Sequence, residues 1–265
     1  MCKPLNRLTF QLGNIMPIST NTVFHFTNSF ENIVSILENT FRPHFCLEDL
    51  TVVMPDRSHE ADLVFAVPMV CFCDIPLSQA TPHLKHYGPY GIGLSKKWAM
   101  QAGLCPVLYI VQNSPLASRL FLIINKLSTL PRDKIGNSPE IDDFHDFSSY
   151  LKPYAGFSPK GDSKKEQRFY NEREWRFVPD LSGHPLRYGI AKDEFMDEAK
   201  RETANKYLWN NFTLPFALSD VEYLIVHQKK EIAHMSEIIK KMLSKTDGQE
   251  SPPVIISSKQ IRQDF

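Results

Sequence analysis

Tyr170-Asn171-Glu172-Arg173-Glu174-Trp175-Arg176-Phe177-Val178 reads as a strand with two unlike faces. Strand side chains alternate, so Asn171, Arg173, Trp175 and Phe177 share one face, while Tyr170, Glu172, Glu174, Arg176 and Val178 share the other. An aromatic pair anchors the first face. The second carries two carboxylates separated by the rise of two residues, roughly 7 Å, with a guanidinium following. Glutamate and arginine are poor strand formers. Their placement marks either a solvated face laced by weak ion pairs or a site that needs its carboxylates, and other segments decide between the two.

Upstream, Thr22–Thr27 reads as a strand with His25 between two phenylalanines. Asn28 is the expected N-cap of a helix with Glu31 as its capping-box partner. Phe30, Ile33, Val34, Leu37 and Phe41 follow at the spacing of one helical face. Residues 44–62 are polar and aperiodic and read as a loop around short structure, whereas Leu63 to Phe72 is a dense apolar run, interrupted by Pro68, that suits one or two buried strand pieces. His83 to Gly93 is a glycine-rich loop leading into a strand from Tyr90 and a short helix from Ser95. Pro106 to Val111 predicts a buried strand, Pro115 to Leu130 a helix with proline in its first turn, and Pro139 to Leu151 a second helix. Gly156 to Gln167 is an expected exposed loop. Beyond the Glu-Arg strand come a turn at Ser182-Gly183, a helix over Asp193 to Asn205, a strand at Val221 to Val226, an amphipathic helix over Lys230 to Lys245 and a last strand at Val254 to Ile256.

Strands and helices interleave without regular βαβ alternation or a glycine-rich nucleotide turn. The expected architecture is a single α+β domain over residues 1–265, a mixed or split β-sheet with flanking helices. Residues 1–21 form an N-terminal extension and 112–168 a helical or loop insertion.

Composition excludes several classes. Thirty basic and thirty acidic residues cancel, so no global field draws the protein to nucleic acid or an anionic membrane. The apolar runs fall far short of the ~20 residues of a spanning helix, and the first twenty residues lack a secretory apolar stretch, so a cytoplasmic protein without membrane contact is expected. Five cysteines in irregular spacing do not form a disulfide framework. Cys71 and Cys73, with His83 and His86 downstream, are too closely spaced for a structural zinc chelate, and no metal is expected.

His25 shares its register with Thr27, which runs into a helix N-terminus where free amides favour anionic groups. The His86-to-Gly91 loop offers tyrosine faces and glycines that would let a planar nicotinamide or adenine approach. Five blocks then carry a resemblance: His25-Phe26-Thr27 with its following helix, Cys71-Phe72-Cys73-Asp74-Ile75-Pro76-Leu77, Tyr87-Gly88-Pro89-Tyr90-Gly91-Ile92-Gly93-Leu94-Ser95, Pro106-Val107-Leu108-Tyr109, and Tyr170 to Arg176. In this order, from about Val23 to Val226, they resemble the AbiGi family of abortive-infection phage-resistance proteins. The resemblance implies a phage-defence role and an antitoxin whose partner toxin is similar to a nucleotidyltransferase. The chain also resembles, more distantly, the ADP-ribosyltransferases, which implies an ADP-ribosyltransferase-like fold with NAD as substrate and a nucleic-acid or protein acceptor. In that reading His25 holds the ribose, Tyr87 or Tyr90 packs on nicotinamide, and Glu174, with Glu172 as its competitor, polarises the reacting group. Arg176 or Arg42 would meet the pyrophosphate. The alternative is a non-catalytic antitoxin that binds and regulates its toxin. Two geometric expectations follow: His25 and Glu174 point into a common pocket, and Trp175 and Phe177 are largely buried.

Overall fold

The computed structural model describes residues 19–54, 63–129, 138–157, 166–245 and 251–264. Strand β1 (Thr22–Thr27) leads into α1 (Phe30–Asn39), and β2 (His44–Asp49) then pairs with the long β3 (Val64–Cys73). Next come α2 (Thr81–His86), β4 (Tyr90–Ser95), α3 (Lys96–Gln101), β5 (Cys105–Pro106) and β6 (Leu108–Ile110). Helices α4 (Pro115–Ser128) and α5 (Pro139–Ser148) precede β7 (Leu151–Pro153), the paired β8 (Gly156–Phe157) and β9 (Glu166–Gln167), and β10 (Glu174–Phe177). The chain closes with β11 (Ile190–Ala191), α6 (Lys192–Met196), α7 (Glu198–Asn211), β12 (Val221–Val226), α8 (Glu231–Leu243), β13 (Val254–Ser257) and α9 (Ser258–Asp264).

The main sheet runs β13-β12-β4-β1-β3-β10-β5, with β2 and β11 joined to the first half of β3. Its pairs are antiparallel except β12 with β13, which makes it mixed. β3 is continuous through Pro68. On the flank away from β2, β11 ends opposite Ala66 and the partners of the second half begin no earlier than Val70, so position 68 falls where no ladder bond is required of it.

Register then assigns the faces. Phe24 and Glu174 both lie opposite Cys73, while Trp175 lies opposite Phe72. Val23, Phe72, Ile92 and Leu224 therefore pack on one side under α1, α3 and α8, against Ile33, Trp98 and Met235. Phe24, Phe26 and Ile225 pack on the other, with Leu84 of α2 and Ile261 of α9. A smaller cluster, including Leu50, Val53, Ile110 and Leu151, sits beneath α4. No helix among the described residues is long and apolar enough to cross a membrane.

Several local expectations are corrected. The cap of α1 is Ser29, whose hydroxyl accepts from the Asn32 amide, one residue later than Asn28. Residues 44–49 form β2, because Phe45 and Leu47 alternate with Cys46 and Glu48 and all six residues find partners on β3. Pro106–Val111 is two short strands with Leu108 and Val111 exposed. The strand expected from Tyr170 starts only at Glu174: residues 169–172 form a 3-10 turn, and Arg173 is left-handed at φ 45°. Residues 1–18 of the N-terminal extension, and 130–137 and 158–165 of the insertion, lie outside the described residues.

The glycine-rich loop also has a structural use. Gly88, at φ +123°, would place a Cβ 2.3 Å from the Thr27 carbonyl oxygen, and a Cβ on Gly93 would meet the Phe24 ring at 2.6 Å. The close approach that these glycines permit is taken by the protein's own β1 rather than left open for a planar ligand.

Candidate functional site

β10 turns Glu174 and Arg176 towards β2, β7 and the 3-10 turn before it, where they join a five-membered ion network. Arg176 Nε donates to Glu174 Oε1 at 2.6 Å, its NH2 to Glu48 Oε1 at 2.9 Å, and its NH1 to the Ser149 carbonyl at 2.7 Å. Lys152 donates to Glu172 Oε2 at 2.7 Å and also to Glu174 Oε2. The Glu174 amide donates to the Tyr109 hydroxyl at 3.0 Å, and Tyr109 stands beside Lys152 because β6 pairs in parallel with β7. Glu174 is 4% exposed and Arg176 0%. The rim is more open, with the side chains of Lys152 and Glu172 14% and 16% exposed.

Three carboxylates and two cations in so dry a place perturb one another. Burial alone would raise the Glu174 carboxyl, but Arg176 and Lys152 outweigh it and hold the group well below the usual carboxylate range. Burial likewise works against the charged forms of Lys152 and Arg176, and their carboxylate neighbours outweigh it, so both stay charged. Glu48 goes the other way: burial pushes it up despite Arg176. Cys71 is raised by its hydrogen bond with Cys46 and by burial, and Cys73 chiefly by burial, so both remain thiols at neutral pH. Tyr87 is pushed up by burial and by the Glu172 carboxylate to which it hydrogen-bonds.

The residues proposed from sequence divide between the two faces of the sheet. Glu174, Arg176, Glu172 and Tyr87 gather on the network side. His25, Thr27 and Tyr90 stand on the opposite side, since His25 pairs with Ile92 and Thr27 with Tyr90 one residue out of phase with the Phe24–Cys73–Glu174 row. The expected common pocket of His25 and Glu174 is therefore not formed. His25 Nδ1–H donates to the Cys71 carbonyl at 2.9 Å, its ring lies 5.2 Å from that of Phe41, and burial lowers its pKa. Thr27 accepts from the Asn32 side chain, and Tyr90 donates to Glu231 at 3.0 Å. Arg176 is wholly enclosed and paired with Glu48 and Glu174, out of reach of a pyrophosphate, and Arg42 is exposed. Glu172 does meet the same cation as Glu174, but through the turn and the left-handed Arg173 rather than through strand alternation.

A model for the family described as "Putative abortive phage resistance protein AbiGi, antitoxin" matches residues 39–227, which hold β2 to β12 and the whole ion network. The chain belongs to the AbiGi family. It is 26% identical over 204 residues to "Abortive phage resistance protein AbiGi" of Lactococcus lactis subsp. cremoris, an alignment covering 70% of this chain and 82% of that one. No solved structure matches.

Sequence reasoning missed Lys152, Glu48 and Tyr109. Glu48 had a signal in the Phe45/Leu47 alternation, which leaves Cys46 and Glu48 on a shared face. Lys152 had only the pattern of a cation between two partly apolar neighbours in a strand three residues long.

Proposed function

We propose that this AbiGi protein is the antitoxin of an abortive-infection phage-defence pair, acting in the cytoplasm by holding a partner toxin rather than by turning over NAD. The family description and the relative's name supply the phage-resistance context. One observation favours binding over turnover: the Glu174 carboxylate is held on both oxygens by permanent cations, Arg176 and Lys152. A carboxylate that drives glycosyl transfer has to meet a cation that develops only in the transition state, facing a cleft that a substrate can enter. The ADP-ribosyl-transfer reading, with a nucleic-acid or protein acceptor, would also ask His25 and Glu174 to share a face of the sheet.

The test pairs a cellular and a chemical readout. Co-expressed with its toxin, the wild-type protein is expected to restore growth and to co-purify with the toxin. Incubated with NAD, alone or with toxin and nucleic acid, it is expected to leave the NAD intact. NAD consumption that disappears in Glu174→Gln, in a variant still folded by circular dichroism, would overturn the binding reading in favour of the transferase.

A further inference from the structure

The turn before β10 builds a surface outside the ion network. Residues 169–172 form the 3-10 turn and Arg173 follows at φ 45°, a backbone setting in which glycine or asparagine is the easier residue. What arginine adds is its guanidinium, which lies over the Tyr170 ring at 5.7 Å. Tyr170 in turn stacks on Tyr154, with ring centres 5.5 Å apart and planes at 28°, and its amide donates to the Tyr154 carbonyl at 3.2 Å. The Arg168 guanidinium lies over the Tyr154 ring at 5.8 Å. Tyr109 braces Tyr170, its ring 5.2 Å away and at 72°. The result is a row of guanidinium, ring, ring and guanidinium, in which Tyr170 is 43% exposed, Arg168 exposed, and Tyr154 and Arg173 half-buried.

Neither guanidinium is in an ion pair among the described residues. Of the carboxylates nearest in the chain, Glu172 is held by Lys152 and Tyr87 and Glu174 is buried, which leaves Glu166 of β9 as the exposed one. The unpaired charge among these residues is therefore positive, and it stands beside open aromatic faces. Because the whole chain has no net charge, its grip on a polyanion has to be local in this way. An acidic peptide would use the guanidiniums and leave the rings idle. Unpaired nucleotides use both, because every base has a π-face to stack and every linkage carries a phosphate. Guanidinium forks suit phosphate oxygens, and their planes stack on rings as well. A duplex keeps its base faces stacked on one another, and a free nucleotide is held in an enclosing cleft, whereas this row lies open along the surface. We infer that the Arg173–Tyr170–Tyr154–Arg168 row binds single-stranded nucleic acid: bases stack on Tyr170 and Tyr154, and the two arginines meet the flanking phosphates. This contact goes beyond the antitoxin reading and asks nothing of the toxin.

The experiment measures binding of purified full-length chain to fluorescein-labelled oligo(dT) and oligo(U) by fluorescence anisotropy over a range of salt, with strands of about 12 nucleotides, a length that a single-strand site covers. A duplex of the same length, poly-glutamate and the mononucleotide serve as competitors. Wild type is expected to bind the single strands and to prefer them to duplex. Tyr170→Ala is expected to weaken binding about tenfold, the size of one lost stacking contact, and Tyr170→Phe to keep it, since stacking needs the ring and not the hydroxyl. Arg168→Gln/Arg173→Gln is expected to flatten the slope of log affinity against log salt by about 1.4, two phosphate contacts at about 0.7 each. Circular dichroism melts check that each variant is folded, and should Tyr170→Ala fail to fold, the salt slope of the arginine pair still decides. No binding by the wild type, undiminished binding by folded Tyr170→Ala, an unchanged salt slope in the arginine pair, or duplex bound as tightly as single strand would each overturn the inference. Poly-glutamate competing as well as the oligonucleotide would overturn it in favour of an acidic protein, and the mononucleotide competing as well would overturn it in favour of a free nucleotide.

Discussion

The two faces of β10 differ in chemistry, and they are buried in the reverse of the expected order. Glu174 and Arg176 are almost wholly enclosed, at 4% and 0% exposed, whereas Trp175 and Phe177 on the opposite face are only half-buried. Trp175 lies near the sheet edge, paired with Pro106 of the two-residue β5, and Lys96 sits over its ring at 5.7 Å. The charged face is covered by β2 and the β7 segment, which bring a matched partner to each ionic group. Arg176 uses Nε, NH1 and NH2, and Glu174 uses both oxygens. A buried ion pair of this kind adds little to stability against an apolar replacement, yet breaking it from one side leaves uncompensated charge in a dry place. The comparison teaches that enclosure followed satisfied hydrogen bonding, not hydrophobicity.

The sharpest way to break the comparison is Arg176→Met, which strands Glu174 and Glu48 without their shared cation. The expected loss is about 3–5 kcal/mol, read from urea unfolding of the purified protein. On the other face, Trp175→Ala in a fully buried site would cost about 3–5 kcal/mol, and half-burial reduces this to about 2 kcal/mol. If Trp175→Ala proves the more damaging of the two, the aromatic face carries the strand and the contrast drawn between the faces is wrong.

The smallest effect is in acid. Glu174 is held below its ordinary value of 4.5, so the stability it contributes is complete above that pH and is lost as pH falls towards its folded value. Glu48 is raised by burial, so its ionised form carries a penalty at neutral pH, and protonation relieves that penalty, in the opposing direction. Glu174→Gln should therefore lose stability less steeply than wild type below about pH 4.5. Equal slopes for the two proteins in unfolding measured from pH 5 to 3 would show that the network does not depress the Glu174 carboxyl.

Much of the fold was legible where a segment carries its own period. β1, α4, α8 and β12 stand within a residue or two of their expected bounds, because the two helices repeat apolar side chains at helical spacing and the two strands are short apolar runs buried on both faces. β2 was not read as a strand, since half of His44–Asp49 is polar and the brief Phe45/Leu47 alternation is completed only by pairing with β3. The Tyr170–Arg173 segment was misread as strand because the left-handed backbone of Arg173 has no signature in residue type.

The candidate site divides along the same line. The sequence by itself determined that Glu174 and Arg176 share one face and Trp175 and Phe177 the other, because alternation within a strand is a property of the backbone. It also determined the family, through blocks local enough to be read residue by residue. Only the tertiary structure decided which face would be enclosed, that Lys152 and Glu48 would complete the network, and that His25 would stand across the sheet from Glu174. These relations pass through strand register, and a one-residue slip in pairing carries a side chain to the other face.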